Sequence, residues 1–312
     1  MSKISVGLAI LFLGLGIYSQ TPKNVEALEK RGSESFLNRD YDSAIAYFTE
    51  VIKLTSRLPV RRSALAGSFT DDQTARGDDG SGDQVTVIDR RTAVAYVERG
   101  RAFLGKRSLS DAINDFDRAI AISPAMSVAY FCRATVRVVQ QRSDLALNDY
   151  DKALKLDPKF VRGYLGRGIA RLDSGDTRAA FEDFDFAVKL APKDPLVYYH
   201  RGDARARSGD IDGALADYEF SLGLDTNFPD AYLGRGSIRL HRKDLDGAFD
   251  DYSRAIALND QLASAYAGRG YIYLVRGKVS EANAEFQHAF DIEPDKRSEI
   301  EANIKLLKAA KP

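Results

Sequence analysis

VRGYLGRGIARLDSGDTRAAFEDFDFAVKLAPKD, residues 161–194, runs without a gap into PLVYYHRGDARARSGDIDGALADYEFSLGLDTNF, residues 195–228, and this pair decides the fold. Both segments are copies of one 34-residue unit, and Ala93–Lys296 holds six copies with no insertion or deletion between them. Each copy opens its pattern on a tyrosine: Tyr96, Tyr130, Tyr164, Tyr198, Tyr232 and Tyr266. Four residues later stands a small residue: Gly100, Ala134, Gly168, Gly202, Gly236 and Gly270. Further on come Ala112, Ala146, Ala180, Ala214, Ala248 and Ala282, each followed four residues later by Phe or Tyr. Pro124, Pro158, Pro192 and Pro294 punctuate the unit ends, with Thr226 and Asp260 in the two remaining copies.

The spacing predicts two apolar runs of helical period per unit, separated by a short polar break such as Gly175-Asp176 or Gly209-Asp210. Glycine ends one helix in the left-handed conformation and aspartate caps the next. Small residues let the two antiparallel helices approach, the aromatic fills the space between them, and proline stops the second helix. One such hairpin cannot bury its own apolar face, so neighbours must stack. The expected architecture is all-α.

In period and in these small, aromatic and proline positions the units resemble tetratricopeptide repeats. The resemblance extends to Val25–Thr55 through Gly32, Ala44 and Phe48. It implies a right-handed α-α superhelix, a TPR solenoid of helix-turn-helix repeats, presenting a groove to a protein or peptide partner. The frame divides the chain into a first repeat at 25–58, an interruption at 59–92 and repeats at 93–126, 127–160, 161–194, 195–228, 229–262 and 263–296. Residues 297–312 read as a C-terminal capping helix with Ile300, Ile304 and Leu307 on one face. The family's groove positions, one, two and five after each tyrosine, fall here on Val97, Phe131, Leu165, Ile169, Tyr199, His200, Asp203 and Tyr271, among others. The glycines in the same set, Gly166, Gly234 and Gly268, are expected to open room. The Lys and Asn residues with which chaperone-binding members clamp a terminal carboxylate are absent from these positions. An apolar and aromatic groove suits a peptide docked mainly by burial. A polysaccharide or lipid ligand is the competing reading.

With 45 acidic and 45 basic side chains the chain has no net charge, which argues against a nucleic-acid partner. Lys3 precedes an uncharged apolar run, Ile4–Tyr18, which as a helix spans about 22 Å, short of a bilayer core of about 30 Å. Residues 1–20 therefore read as a secretory signal or, if uncleaved, an N-terminal anchor, making 4–18 the membrane attachment and the chain exported. Cys132 is the only cysteine, so no internal disulfide is possible, and it is expected to pack as a small apolar residue. Pro59–Thr92 is read as a flexible insert, either a decayed repeat or an insertion of repeat length, with Val85–Ile88 as a short strand or docking segment. Its run Asp78–Asp83 lacks the alternating acidic spacing and distal Glu of a calcium loop.

A second periodicity pairs Arg99, Arg133, Arg167, Arg201, Arg235 and Arg269 with an acid sixteen residues on: Asp115, Asp149, Asp183, Asp217, Asp251 and Glu285. Opposite charges repeated in register predict a ladder of ion pairs that fixes the repeats rather than a binding site. His200, His241 and His288 fall in separate repeats without metal spacing, and no phosphate loop or nucleophile elbow appears. No cofactor, metal or catalytic residue is expected.

Overall fold

The computed structural model describes residues 23–56 and 81–309. Among them are fifteen α-helices and no strand. In chain order they are α1 (Lys23–Leu37), α2 (Tyr41–Ser56), α3 (Ser81–Gly105), α4 (Leu109–Ile122), α5 (Ser127–Val139), α6 (Ser143–Leu156), α7 (Val161–Asp173) and α8 (Thr177–Leu190). They continue as α9 (Pro195–Arg207), α10 (Ile211–Leu224), α11 (Pro229–His241), α12 (Leu245–Leu258), α13 (Ala263–Val275), α14 (Val279–Ile292) and α15 (Arg297–Ala309). Consecutive helices pack as hairpins, and the fold is that of a tetratricopeptide-repeat solenoid. The chain forms two compact units, one ending at Cys132 and the other beginning at Arg133.

Each hairpin closes as its residues require. Phe184 is 1% exposed in a cluster with Leu165, Ala180, Ala187, Val197 and Tyr198. Its ring lies so close to Gly168 that a Cβ there would stand 2.8 Å from it, and Gly270 meets the Phe286 ring in the same way at 2.7 Å. Between the helices, Gly175 and Gly209 both turn the chain at φ +86°. Asp176 Oδ1 then accepts the Ala179 amide at 3.2 Å, and Asp210 and Asp244 cap α10 and α12 through Gly213 and Gly247 at 3.0 Å each. Arg39, Arg107, Gln141 and Lys243 stand in the same left-handed turn without being glycine.

The charge ladder is present and is wider than its two-residue spacing. Asp149, Asp183, Asp217 and Asp251 are all buried. Asp217 Oδ1 and Oδ2 accept Arg201 Nη2 at 2.7 Å and Nε at 2.9 Å, while Oδ2 also accepts Arg205 Nη1 at 2.7 Å. Asp183 is held identically by Arg167 and Arg171, and Asp251 by Arg235 and Arg239. Arg167 and Arg201 each send Nη1 on to the preceding repeat, to Asp151 at 2.6 Å and Asp185 at 2.9 Å. The same guanidiniums lie over the repeat tyrosines, Arg201 5.7 Å from the Tyr198 centroid. A buried acid bridged by two arginines and continued to the next layer holds repeat register.

In the first unit the helical frame begins before Ala93. Residues 81–92 are helical, the leading part of α3, so Val85–Ile88 is part of a helix and not a strand. Thr92 and Ala93 are buried, and Arg91 Nη2 pairs with Glu26 of α1 at 3.4 Å. Residues 57–80, the rest of the proposed insert, lie outside the described residues, as do residues 1–22. The α1/α2 hairpin packs directly on α3. Arg99 Nη1 reaches Thr49 across 50 residues, where Arg167 reaches Asp151 across 16. Lys106 pairs with Asp42 across 64 residues, where Arg276 pairs with Asp246 across 30. Both separations exceed their counterparts by one 34-residue repeat, so the α1/α2 hairpin stands one layer from the α3/α4 hairpin. At the other end α15 continues the frame: Ile300 takes the place of the repeat tyrosine and is buried with Ala263, Ala267, Leu274 and Phe286.

Candidate functional site

The first helices of the second unit, α7, α9, α11 and α13, lie side by side, which puts the predicted groove positions on one face. Not all of them are surface. Val97, in the first unit, and Leu165 are each only 3% exposed and belong to the core, so they are not groove residues. Ile169 is half-buried against the Phe184 cluster, and Phe131, in the first unit, is also half-buried. Cys132 beside it is buried, and burial pushes its thiol up to about 12, which leaves it inert at neutral pH.

The glycines of this face do not open room for a ligand. A Cβ at Gly234 would stand 2.6 Å from the Tyr218 ring, at Gly268 2.4 Å from Tyr252 and at Gly166 2.8 Å from Tyr150. Each glycine receives the tyrosine of the preceding second helix. Where that aromatic is Phe116 or Phe184, which carries no hydroxyl, the next repeat has Cys132 or His200 instead of glycine. The pairing of Tyr with Gly and of Phe with a bulkier residue is legible in the sequence, and it brings phenol groups of the second helices to the first-helix face.

Around α9 and α11 this produces one concentrated cluster. Tyr199 has its ring centroid 5.1 Å from Phe228, 5.1 Å from His200 and 6.1 Å from Tyr218. Asp203, one turn along α9, and Asp230, in the first turn of α11, both lie close enough to raise the Tyr199 hydroxyl pKa, after burial as the main cause. Burial likewise raises the carboxyl pKa of Asp203 and of Asp230. Among the described residues neither carboxylate has an ion-pair partner. The nearby Arg207 is engaged by Asp173 at 2.6 Å. Burial holds the His200 imidazole neutral, lowering its pKa to about 4. Tyr218 is 2% exposed, and its hydroxyl makes no hydrogen bond among the described residues, although the equivalent Tyr252 hydroxyl meets Ser237 Oγ at 3.4 Å. Tyr218, Phe228 and Asp230 were outside the predicted set. Tyr218 has the Tyr/Gly signal just described, whereas Phe228 and Asp230 depend on how α11 approaches α9.

Tyr271 lies apart from this cluster. It lines a cavity of about 400 Å³ with Ser237, Tyr252, Lys296, Glu299 and Asn303, and its hydroxyl donates to the Ile300 carbonyl of α15 at 3.3 Å. Among the described residues no group of three or more His, Cys, Asp or Glu side chains could hold a metal ion, and no helix is long and apolar enough to cross a membrane.

The family profile described as tetratricopeptide repeat matches residues 133–195 and 199–263. Among solved structures, a tetratricopeptide repeat protein from Parabacteroides merdae superposes with a TM-score of 0.63 at 16% identity, covering 92% of this chain and 100% of that one. The Cut9–Hcn1 hetero-tetramer of the APC/C gives 0.60 at 17% identity over 88% of this chain and 54% of that one. Yeast Tom70 gives 0.59 at 16% identity over 95% and 66%. The chain thus spans about half of the Cut9–Hcn1 chain it matches. At these identities the likeness is one of fold. No curated protein matches the sequence.

Proposed function

We propose that this chain, a tetratricopeptide-repeat protein, is a non-catalytic scaffold that binds a protein or peptide segment on its first-helix face and so assembles or tethers a complex. The fold supports protein–protein interaction in general. The observation that carries the finer reading is the cluster on α9–α11: three aromatic rings with two half-buried carboxylates, Asp203 and Asp230, that make no ion pair among the described residues. Buried rings edged by polar groups are the usual form of an interaction hot spot. In this reading residues 4–18 direct export of the chain or anchor it, which N-terminal mass analysis of the mature protein tests.

Affinity capture with the full chain tests the binding surface against a Tyr199→Glu/Tyr271→Glu variant of equal helicity. A partner retained by the parent and lost from the variant supports the first-helix face. Equal retention by both moves the site elsewhere, with the exposed second-helix aromatics Phe186 and Phe220 the next surface to test.

A further inference from the structure

We infer that the Tyr199 cluster takes a basic side chain, arginine in preference to lysine, from a peptide segment of the partner. The inference rests on the first-helix-face reading above and adds to it the chemistry of the bound residue. Three independent observations converge. Asp203, one turn after Tyr199 on α9, and Asp230, two residues after Phe228 in the first turn of α11, are both half-buried, and among the described residues neither makes an ion pair. The Tyr199 and Phe228 rings, 5.1 Å apart, supply π faces in the same cluster. The Tyr218 side chain, 98% buried, lies over Gly234, and its hydroxyl makes no hydrogen bond among the described residues.

Each class of ligand meets this arrangement differently. An apolar side chain would complete the desolvation of two carboxylates and leave them unpaired, which is unfavourable. An anionic group would be repelled by both. A cation pairs with the acids, lies over the rings and donates to the Tyr218 oxygen. Guanidinium is favoured over ammonium because it is planar, weakly hydrated and carries five donors, enough for two carboxylates and a phenol at once. The cations already on α9 pair elsewhere: Arg201 and Arg205 with Asp217, and Arg207, whose charge also acts on Asp203 from one turn away, with Asp173.

The chain itself offers a way to separate binding from folding. Two desolvated, unpaired carboxylates weaken the free protein, so Asp203→Asn/Asp230→Asn is expected to melt at the same temperature as the parent or higher. The probes are pools of short capped peptides with randomised flanks and one fixed central residue, arginine, citrulline or glutamate, applied to the immobilised full chain. The expected result is retention of the arginine pool about tenfold or more above the citrulline and glutamate pools, with that preference abolished in Asp203→Asn/Asp230→Asn. Equal retention of arginine and citrulline pools, or an arginine preference that survives in the double variant, overturns the cationic assignment. In that case the broader reading still stands if Tyr199→Glu loses all pools. Retention of no pool, or retention indifferent to Tyr199→Glu, overturns both.

Discussion

Replacing Asp217 by Asn removes one negative charge from between two guanidiniums while keeping the side-chain volume. The Asp217 side chain is 5% exposed, and those of Arg201 and Arg205 are 16% and 27% exposed. Deleting one partner of a buried ion pair costs about 3–5 kcal/mol, because the remaining charges stay desolvated without compensation. At about 2–4 °C per kcal/mol for a chain of this size, the melting midpoint falls by roughly 10 °C. Because each repeat contacts only its neighbours, amide exchange should accelerate first in α9 and α10. Asp212→Asn is the control: Asp212 pairs with Arg242 but its side chain is 92% exposed, so its loss costs under about 1 kcal/mol. Adding Arg201→Met and Arg205→Leu to an Asp217→Leu chain should restore most of the midpoint, since an apolar core of similar volume can replace a buried triad. An unchanged midpoint in Asp217→Asn, or losses that simply add in the triple variant, would refute the ladder as the holder of register.

Other consequences can be measured separately. His200 stays neutral in the folded chain to about pH 4 and titrates near 6.5 when unfolded. Stability from this group is therefore complete above about pH 6.5 and falls as the pH drops toward 4, whereas the raised Asp203 works in the opposite sense. His200→Gln should shrink the midpoint difference between about pH 7.5 and about pH 5, and an unchanged difference would count against burial of the imidazole. Lys243 sits at φ 64°, so Lys243→Gly should stabilise by about 1 kcal/mol in denaturant titration, while Gly209→Ala at φ +86° should destabilise. The pairing of Lys106 with Asp42 predicts a zero-length carbodiimide cross-link between them, detectable by peptide mass. Its absence would contradict direct stacking of the first hairpin on α3.

Much of this was legible in the sequence because the repeat imposes the same local problem again and again. The small residue four residues after each tyrosine and the aromatic sixteen residues beyond it solve one close approach, so spacing alone exposes them. The Arg–Asp interval of sixteen could be read in the same way. The second arginines, Arg137, Arg171, Arg205 and Arg239, repeat just as regularly, yet their contact with the acid depends on how the hairpin turns. Burial of Val97 and Leu165 was not legible, because a family groove position becomes surface or core according to the bulk of the neighbouring layers. The neighbour of the first hairpin was hidden for a related reason: the intervening stretch has the length of a repeat, and Arg99–Thr49 and Lys106–Asp42 show that α1/α2 packs next to α3. That Asp203 and Asp230 make no ion pair among the described residues is a property of three dimensions, since the sequence offers arginines nearby that pair with other acids.

The most direct test of the account is site-specific photocross-linking in the native cells, with a photoreactive phenylalanine analogue placed in the full chain at Tyr199 or at Phe220. The account predicts a discrete protein adduct from position 199, absent from position 220 and lost when Asp203 and Asp230 are both Asn. An adduct from position 220 with none from 199 would contradict binding on the first-helix face.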